Sequence, residues 1–213
     1  MDAPCATCIR RGEADVDSDL ADAVEGLKAI FKRRKIEAEF DKAAPELVET
    51  LKKQLRIPPR FRSFLLGANP RKVETVTPVE RVRLMPAEEI ASAQTQVTGD
   101  SGDKKAPLDW KSSWVVIGES SLLGDPYFLD VGKLDAEGDC PVFTMMTGTD
   151  TLKPELCASS FQQFLRILAT SMEVATGFGE GVMDDDDEAI FRETLAPKIK
   201  TIDAAALRAG HWT

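Results

Sequence analysis

The sequence predicts an α+β fold: an antiparallel-dominated sheet flanked by N-terminal and C-terminal helices. Three observations carry that prediction. Apolar residues recur at three- and four-residue steps at both ends of the chain, at Leu20, Val24, Leu27, Ile30 and Phe31 and again at Phe161, Phe164, Leu165, Leu168 and Met172, which is the period of a helix with one buried face. Between them the pattern changes. Val82 and Leu84 alternate with Arg81 and Arg83, while Trp114-Val115-Val116-Ile117, Tyr127-Phe128-Leu129 and Pro141-Val142-Phe143-Thr144-Met145-Met146 are runs of β-formers, so strands are predicted near 80 to 85, 113 to 118, 126 to 130 and 141 to 146. The last three are joined by short loops, which implies an antiparallel meander.

In chain order, residues 1 to 16 read as a tail, and Asp17 or Ser18 can cap the first helix. Its last turn holds Lys32, Arg33, Arg34 and Lys35, where cations complement the carbonyl end of the helix dipole. No aromatic residue interleaves that run, so it reads as a solvated helix end rather than a nucleic-acid patch. Pro45 opens a second helix with Leu47, Val48, Leu51 and Leu55 on one stripe, and Pro58 and Pro59 interrupt it. A short third helix presents Phe61, Phe64 and Leu65, with Gly67 placed to end it in a left-handed conformation. Asn69-Pro70 is a breaker, Pro86 starts a helical turn through Ile90, and 98 to 107 form a polar, mobile loop. Trp114 to Ile117 is a continuous apolar run, so a central strand covered on both faces is expected. Gly124-Asp125-Pro126 is turn chemistry rather than a phosphate loop, since no Gly-Lys-Ser/Thr follows and a strand comes next. Ser160 and Gln163 form a capping box for the closing helix. Beyond the break at Gly177 to Gly181, two short helical segments are expected, around Glu188 to Thr194 and Asp203 to Ala209, with Gly210 as the stop. The expected division is a tail (1–16), an α+β domain with its N-terminal helices (17–176) and a C-terminal helical extension (177–213).

Composition narrows the function. The 213 residues carry 27 Lys+Arg against 36 Asp+Glu, a net charge of −9, which argues against nucleic acid as a partner. No run approaches the roughly 20 apolar residues of a membrane-spanning helix and Met1 to Arg11 lacks a signal-peptide core, so a cytoplasmic protein with no membrane partner is expected. The single histidine, His211, leaves little material for imidazole triads or multi-histidine metal sites. Cys5 and Cys8 have the spacing of half a zinc site or of a redox pair, but the remaining ligands and the strand–helix context are missing, so they read as part of the tail. Cys140 and Cys157 read as small buried apolar groups. Neither metal nor cofactor is expected.

Two features suit a protein partner. Asp184, Asp185, Asp186, Asp187 and Glu188 are the densest charge on the chain; acids at a helix start are stabilised by its N-terminal partial charge, and the same cluster suits a basic surface on another protein. An EF-hand is excluded by the absence of alternating ligands and a central glycine. Of the tryptophans at 110 and 114, Trp114 reads as a core anchor and Trp110 as a partly exposed ring able to serve a partner. Asp125 and Asp130 flank one strand and point to opposite ends, so they do not form a catalytic pair.

Three stretches together are similar to the SUKH superfamily, the bacterial immunity proteins and fungal cell-wall regulators of the Smi/Knr type. They are Ile57-Pro58-Pro59-Arg60-Phe61-Arg62-Ser63-Phe64-Leu65; Trp114-Val115-Val116-Ile117-Gly118 with Gly124-Asp125-Pro126-Tyr127-Phe128-Leu129-Asp130; and Pro141-Val142-Phe143 with Gly148 and then Ala158-Ser159-Ser160-Phe161-Gln162-Gln163-Phe164-Leu165. The resemblance spans roughly residues 45 to 175. The sequence departs from it at Asn69-Pro70, where many members have an Asn-Gly-Gly turn, and in having no tryptophan after Gly148. The motif residues Pro59, Phe61, Phe64, Trp114, Gly124, Asp125, Asp130 and Phe161 are read as structural. The resemblance implies an intracellular protein-binding module, an immunity protein that neutralises a toxin by covering it, with a regulatory scaffold as the alternative. A basic toxin domain such as a nuclease fits the acidic charge. No nucleophile, base and orienter assemble in the sequence, so no enzyme is expected, and a carboxylate-based enzyme is the rival class.

Overall fold

The computed structural model describes residues 6–99, 110–146, 153–178 and 185–212, with backbone placement alone for 6–17 and 185. The expectations on Cys5, the Cys8 side chain, the loop at 100–107, Gly148 and Asp184 lie outside the described residues.

The fold is α+β. Helix α1 (Ala6–Arg34) begins well ahead of the expected caps Asp17 and Ser18, because Gly12 is the one residue of very low helix propensity before them and no proline intervenes. Its apolar stripe Leu20, Val24, Leu27, Ile30 and Phe31 is buried. Next come β1 (Glu39–Asp41), α2 (Pro45–Leu55), α3 (Pro59–Ala68) and β2 (Asn69–Arg71), with β1 and β2 paired antiparallel as a separate ribbon. Both proline-led helices are as predicted. Gly67, however, stays inside α3, and the helix passes at Asn69 (φ −53°) directly into extended backbone. Asn69-Pro70 is therefore a strand rather than only a breaker: Pro70 sits in a two-stranded ribbon where one missing donor is tolerated, and the fully buried Asn69 accepts the Ala87 N–H at 2.7 Å.

The main sheet has the order β3 (Glu74–Val76), β4 (Arg81–Leu84), β5 (Trp114–Ser120), β6 (Pro126–Asp130), β7 (Val142–Thr144), β8 (Glu155–Ala158), all antiparallel. The four predicted strands are β4 to β7; β3 and β8 add a three- and a four-residue strand at the borders. Helix α4 (Ala87–Thr98) is much longer than the single turn expected. Its buried positions are Ala87, Ile90 and Gln94, at helical spacing, but the polar third member hides the stripe. Gln94 acts as a piece of strand: its amide donates to Trp114 O and accepts from Val116 N, both at 3.0 Å, where β5 runs beyond its pairing with β4.

Register assigns the two faces. Val115, Tyr127, Leu129 and Val142 point inward to a core with Phe61, Phe64 and Phe161, whose rings lie 5.0 to 6.0 Å apart. Helix α5 (Phe161–Val174) lies on this face, with Phe164 at 5.5 Å from Tyr127, and α1 packs on α5. Helices α6 (Asp185–Ile202) and α7 (Ala204–Ala209) complete the chain. The segment expected around Glu188 to Thr194 is thus part of a longer helix, which continues through Pro197 because Phe191, Leu195 and Ile199 form one buried stripe across it. These residues, Ala206 and Trp212 belong to the same core as the sheet.

Candidate functional site

The acidic cluster opens α6. Asp186, Asp187 and Glu188 are exposed, as are Ala189 and Ile190; Asp184 and the Asp185 side chain lie outside the described residues. Glu188 accepts from Arg192 Nε at 2.9 Å, an i,i+4 pair. On the other side of the helix Phe191 is fully buried, edge-on to Phe178 at 5.5 Å, so the core holds the acids outward. Ile190, 53% exposed two residues after them, is an apolar contact that the sequence reading passed over; Phe191 beside it belongs to the stripe that continues across Pro197.

Trp110 belongs to a different surface. The outward positions of adjacent strands form a ladder, with Trp114 on β5, Phe128 on β6, Phe143 on β7 and Leu156 on β8. Half-buried Trp110 sits edge-on to Trp114 at 5.4 Å and 5.1 Å from Phe128, and its buried Nε1 has no hydrogen-bond partner among the described residues. Lys111 Nζ lies 5.2 Å over Trp114 and Lys133 Nζ 4.7 Å over Phe143. Because α6 packs on α5, and α5 covers the face bearing Tyr127 rather than Phe128, the two candidate contacts stand on opposite sides of the sheet. The structure does not bring them together.

The motif residues have visible structural tasks. Pro59 starts α3 and packs on Gly138, at φ +77°, where an added Cβ would come 3.0 Å from the proline ring. Gly124, at φ +75°, makes the β5–β6 turn, and Asp125 and Asp130 stand at the two ends of β6. Asp130 accepts from Ser113 Oγ at 3.0 Å and Gly132 N at 3.2 Å.

One buried cluster escaped the sequence reading. Asp139, 2% exposed, accepts from Cys140 N at 2.7 Å, Phe161 N at 2.9 Å and Gln162 N at 3.2 Å, while Ser160 Oγ accepts from Gln163 N at 3.1 Å. The first N–H groups of α5 are thereby satisfied by the chain's own side chains. The predicted cap is half of a capping box, since the Gln163 side chain accepts from Ser160 Oγ at 3.3 Å and donates to Ile202 O at 3.2 Å rather than accepting the Ser160 N–H. Burial pushes the Asp139 carboxyl up despite its N–H donors. Arg60, also buried, reaches Glu137 at 3.2 Å and lies 3.9 Å from Asp139. A Gly-Asp pair after a loop is the only local signal for Asp139; its partners at the start of α5 come 22 and 23 residues later in the chain. Cys140 and Cys157 are buried free thiols as expected. Among the described residues no group of three or more His, Cys, Asp or Glu is placed to hold a metal ion, and no helix is long and apolar enough to cross a membrane.

A family model described as SMI1 / KNR4 family (SUKH-1) matches residues 42–167, more than half of the 213 residues. The matched segment contains the whole main sheet and leaves α1, α6 and α7 outside. No curated protein matches the chain.

Proposed function

Because the chain belongs to the SMI1 / KNR4 family (SUKH-1), we propose that it is an intracellular protein-binding module, an immunity protein that neutralises a toxin by covering it. The observation that supports this reading best is the first turns of α6, where exposed Asp186, Asp187 and Glu188 lead into exposed Ile190. An acidic patch steers a basic surface such as that of a nuclease, and an apolar side chain beside it supplies contact once the patch has docked. The net charge of −9 acts in the same direction, and association weakens as salt rises. The rival reading, a carboxylate enzyme, has Asp139 as its strongest candidate; that carboxylate is occupied by backbone N–H groups at the start of α5, which suits a cap better than a proton carrier.

The test is co-expression with the product of a toxin-like gene adjacent to the coding region. Survival restored by the wild-type chain is the expected result. A variant carrying Asp186→Asn, Asp187→Asn and Glu188→Gln should associate about tenfold more slowly at low salt with a smaller change in dissociation. Survival no better than with an empty vector would count decisively against immunity to that toxin.

A further inference from the structure

The loops beside Trp110 enclose a cleft of about 250 Å³ on which Arg56, Ile57, Pro58, Ser112, Gly132 and Leu134 converge. We propose that this cleft, together with Lys111, Lys133 and the partly exposed Trp110 and Phe143 next to it, docks an acidic polypeptide segment carrying one apolar side chain. It would be a second partner surface, opposite in sign to α6 and independent of the toxin reading.

Size, shape and charge support this assignment. Clefts that hold cofactors or drug-sized molecules run from about 300 to 1,000 Å³, so this one suits a single side chain, and Ile57 and Pro58 are buried at its wall while Leu134 stands 49% exposed at its rim. Its geometry is fixed by backbone: Arg56 closes α2 in the left-handed region at φ 53°, and an added Cβ at Gly132 would come 3.1 Å from Asp130 Oδ1 and 3.4 Å from Ser113 Cβ. Neither Arg56 nor Lys111 has a carboxylate partner among the described residues. Lys133 Nζ lies 3.7 Å from Asp130 Oδ2, and Asp130 is already held by Ser113 and Gly132. The other acids nearby are engaged too: Asp135 Oδ1 accepts from Glu137 N at 2.9 Å and Asp139 N at 2.8 Å, and Glu137 pairs with Arg60. What faces outward is Arg56, Lys111 and Lys133 beside the partly exposed rings of Trp110 and Phe143, with Trp114 and Phe128 buried beneath them. Carboxylates bind such cations, and an apolar residue between them fills the cleft. The same rings and lysines would suit single-stranded nucleic acid, but the overall charge of −9 opposes it.

The experiment is an NMR titration of the full ¹⁵N-labelled chain with a pentapeptide of one phenylalanine flanked on each side by two glutamates. The lysine-flanked counterpart and a short oligothymidylate serve as competing probes. Saturable shifts are expected at Ser112, Ser113, Gly132 and Leu134 and not at Asp187 or Glu188, with the glutamate peptide alone. The double variant Arg56→Glu and Lys111→Glu, both exposed positions, should weaken binding at least about tenfold with an unchanged thermal melt, and the neutralised α6 variant should bind as wild type. No saturable shift up to about 1 mM peptide, shifts of equal strength with the lysine peptide or the oligonucleotide, or indifference to the double variant would overturn the proposal. So would concentration-dependent self-association abolished by that variant, which would make a second copy of the chain the occupant.

Discussion

The single histidine gives a sharp test of how the C-terminus is packed. His211 has a side chain 13% exposed, with Nε2 3.1 Å from Tyr127 Oη and its ring 4.6 Å from that of Trp212. Burial pushes the Tyr127 hydroxyl up, so it stays protonated within hydrogen-bond reach of Nε2. Burial, and secondarily the charge of Arg192, pushes the imidazole from 6.5 down to about 4. Glu155 Oε2, 4.0 Å from Nδ1, favours the charged ring, but its side chain is 57% exposed and its field is screened by water. Between pH 6.5 and 4 the unfolded chain therefore takes up a proton that the folded chain refuses. The stability contributed by the neutral ring is fully present above pH 6.5 and is lost as pH falls toward 4. The shift amounts to about 3 kcal/mol over that window. The assay is urea unfolding from pH 7 to pH 4 of wild type and His211→Gln, which keeps a neutral acceptor, so that carboxylates titrating in the same range cancel. The gap between the two should move by about 3 kcal/mol in favour of the variant. A gap that stays constant with pH, or a histidine resonance that titrates in the folded protein near 6.5, would refute the buried neutral ring.

Three other perturbations have definite expected outcomes. Asp203, 4% exposed, accepts from Ser159 Oγ at 2.9 Å and from Ala205 N and Ala206 N at 3.0 Å, so it ties the start of α7 to the segment before α5; Asp203→Ala should cost about 2 to 4 kcal/mol in chemical denaturation, with Asp203→Asn in between. Gln94→Ala leaves Trp114 O and Val116 N without their partners and should cost about 2 to 4 kcal/mol, with faster amide exchange at Val116 than at Leu129. Lys35 holds φ 56° just after α1, a conformation that costs a side-chain-bearing residue about 1 kcal/mol, so Lys35→Gly should raise the melting temperature and a fall would refute the strain.

What could be read from the sequence was whatever repeats along it. The stripes of α1 and α5 and the alternation of β4 are periodic, and the runs of β5, β6 and β7 are long enough to stand out, so six of the elements that build the core follow from local pattern. β3 and β8 offer only three or four residues each, with a Glu at the start of both, and exist because a neighbouring strand is there to pair with. α4 was hidden because Gln94 is buried for its hydrogen bonds rather than its apolarity. The extent of α6 was hidden because packing overrides the local cost of Pro197. For the site the limit was different. Spacing shows that Trp110 and the acidic cluster are each suited to a partner, but which side of the sheet each occupies depends on the alternation of Tyr127 and Phe128 and on the stacking of α6 over α5. Asp139 holds the N–H groups of Phe161 and Gln162 and Asp203 the hydroxyl of Ser159, all distant in sequence, so these ties leave no local signature.

The borders of the sheet decide which modes of recognition are open to the chain. An unpaired strand edge invites a further strand from another molecule, yet side chains meet this sheet at its borders and at the open stretch of β5. Arg34 Nη1 donates to Val76 O of β3 at 2.6 Å, Trp212 Nε1 donates to Cys157 O of β8 at 2.8 Å, and Gln94 serves β5. Arg34 and Trp212 both lie outside the matched residues 42–167. The sheet thus lies within the family segment while its border contacts come from the flanking helices and C-terminus, which makes those flanks part of the folded unit. With carbonyls on both border strands engaged in this way, strand addition is the less favoured route to a partner. For the partners proposed above, side-chain surfaces are left to do the binding, and the layering presents two of them, acidic on the α6 side and cationic-aromatic on the other.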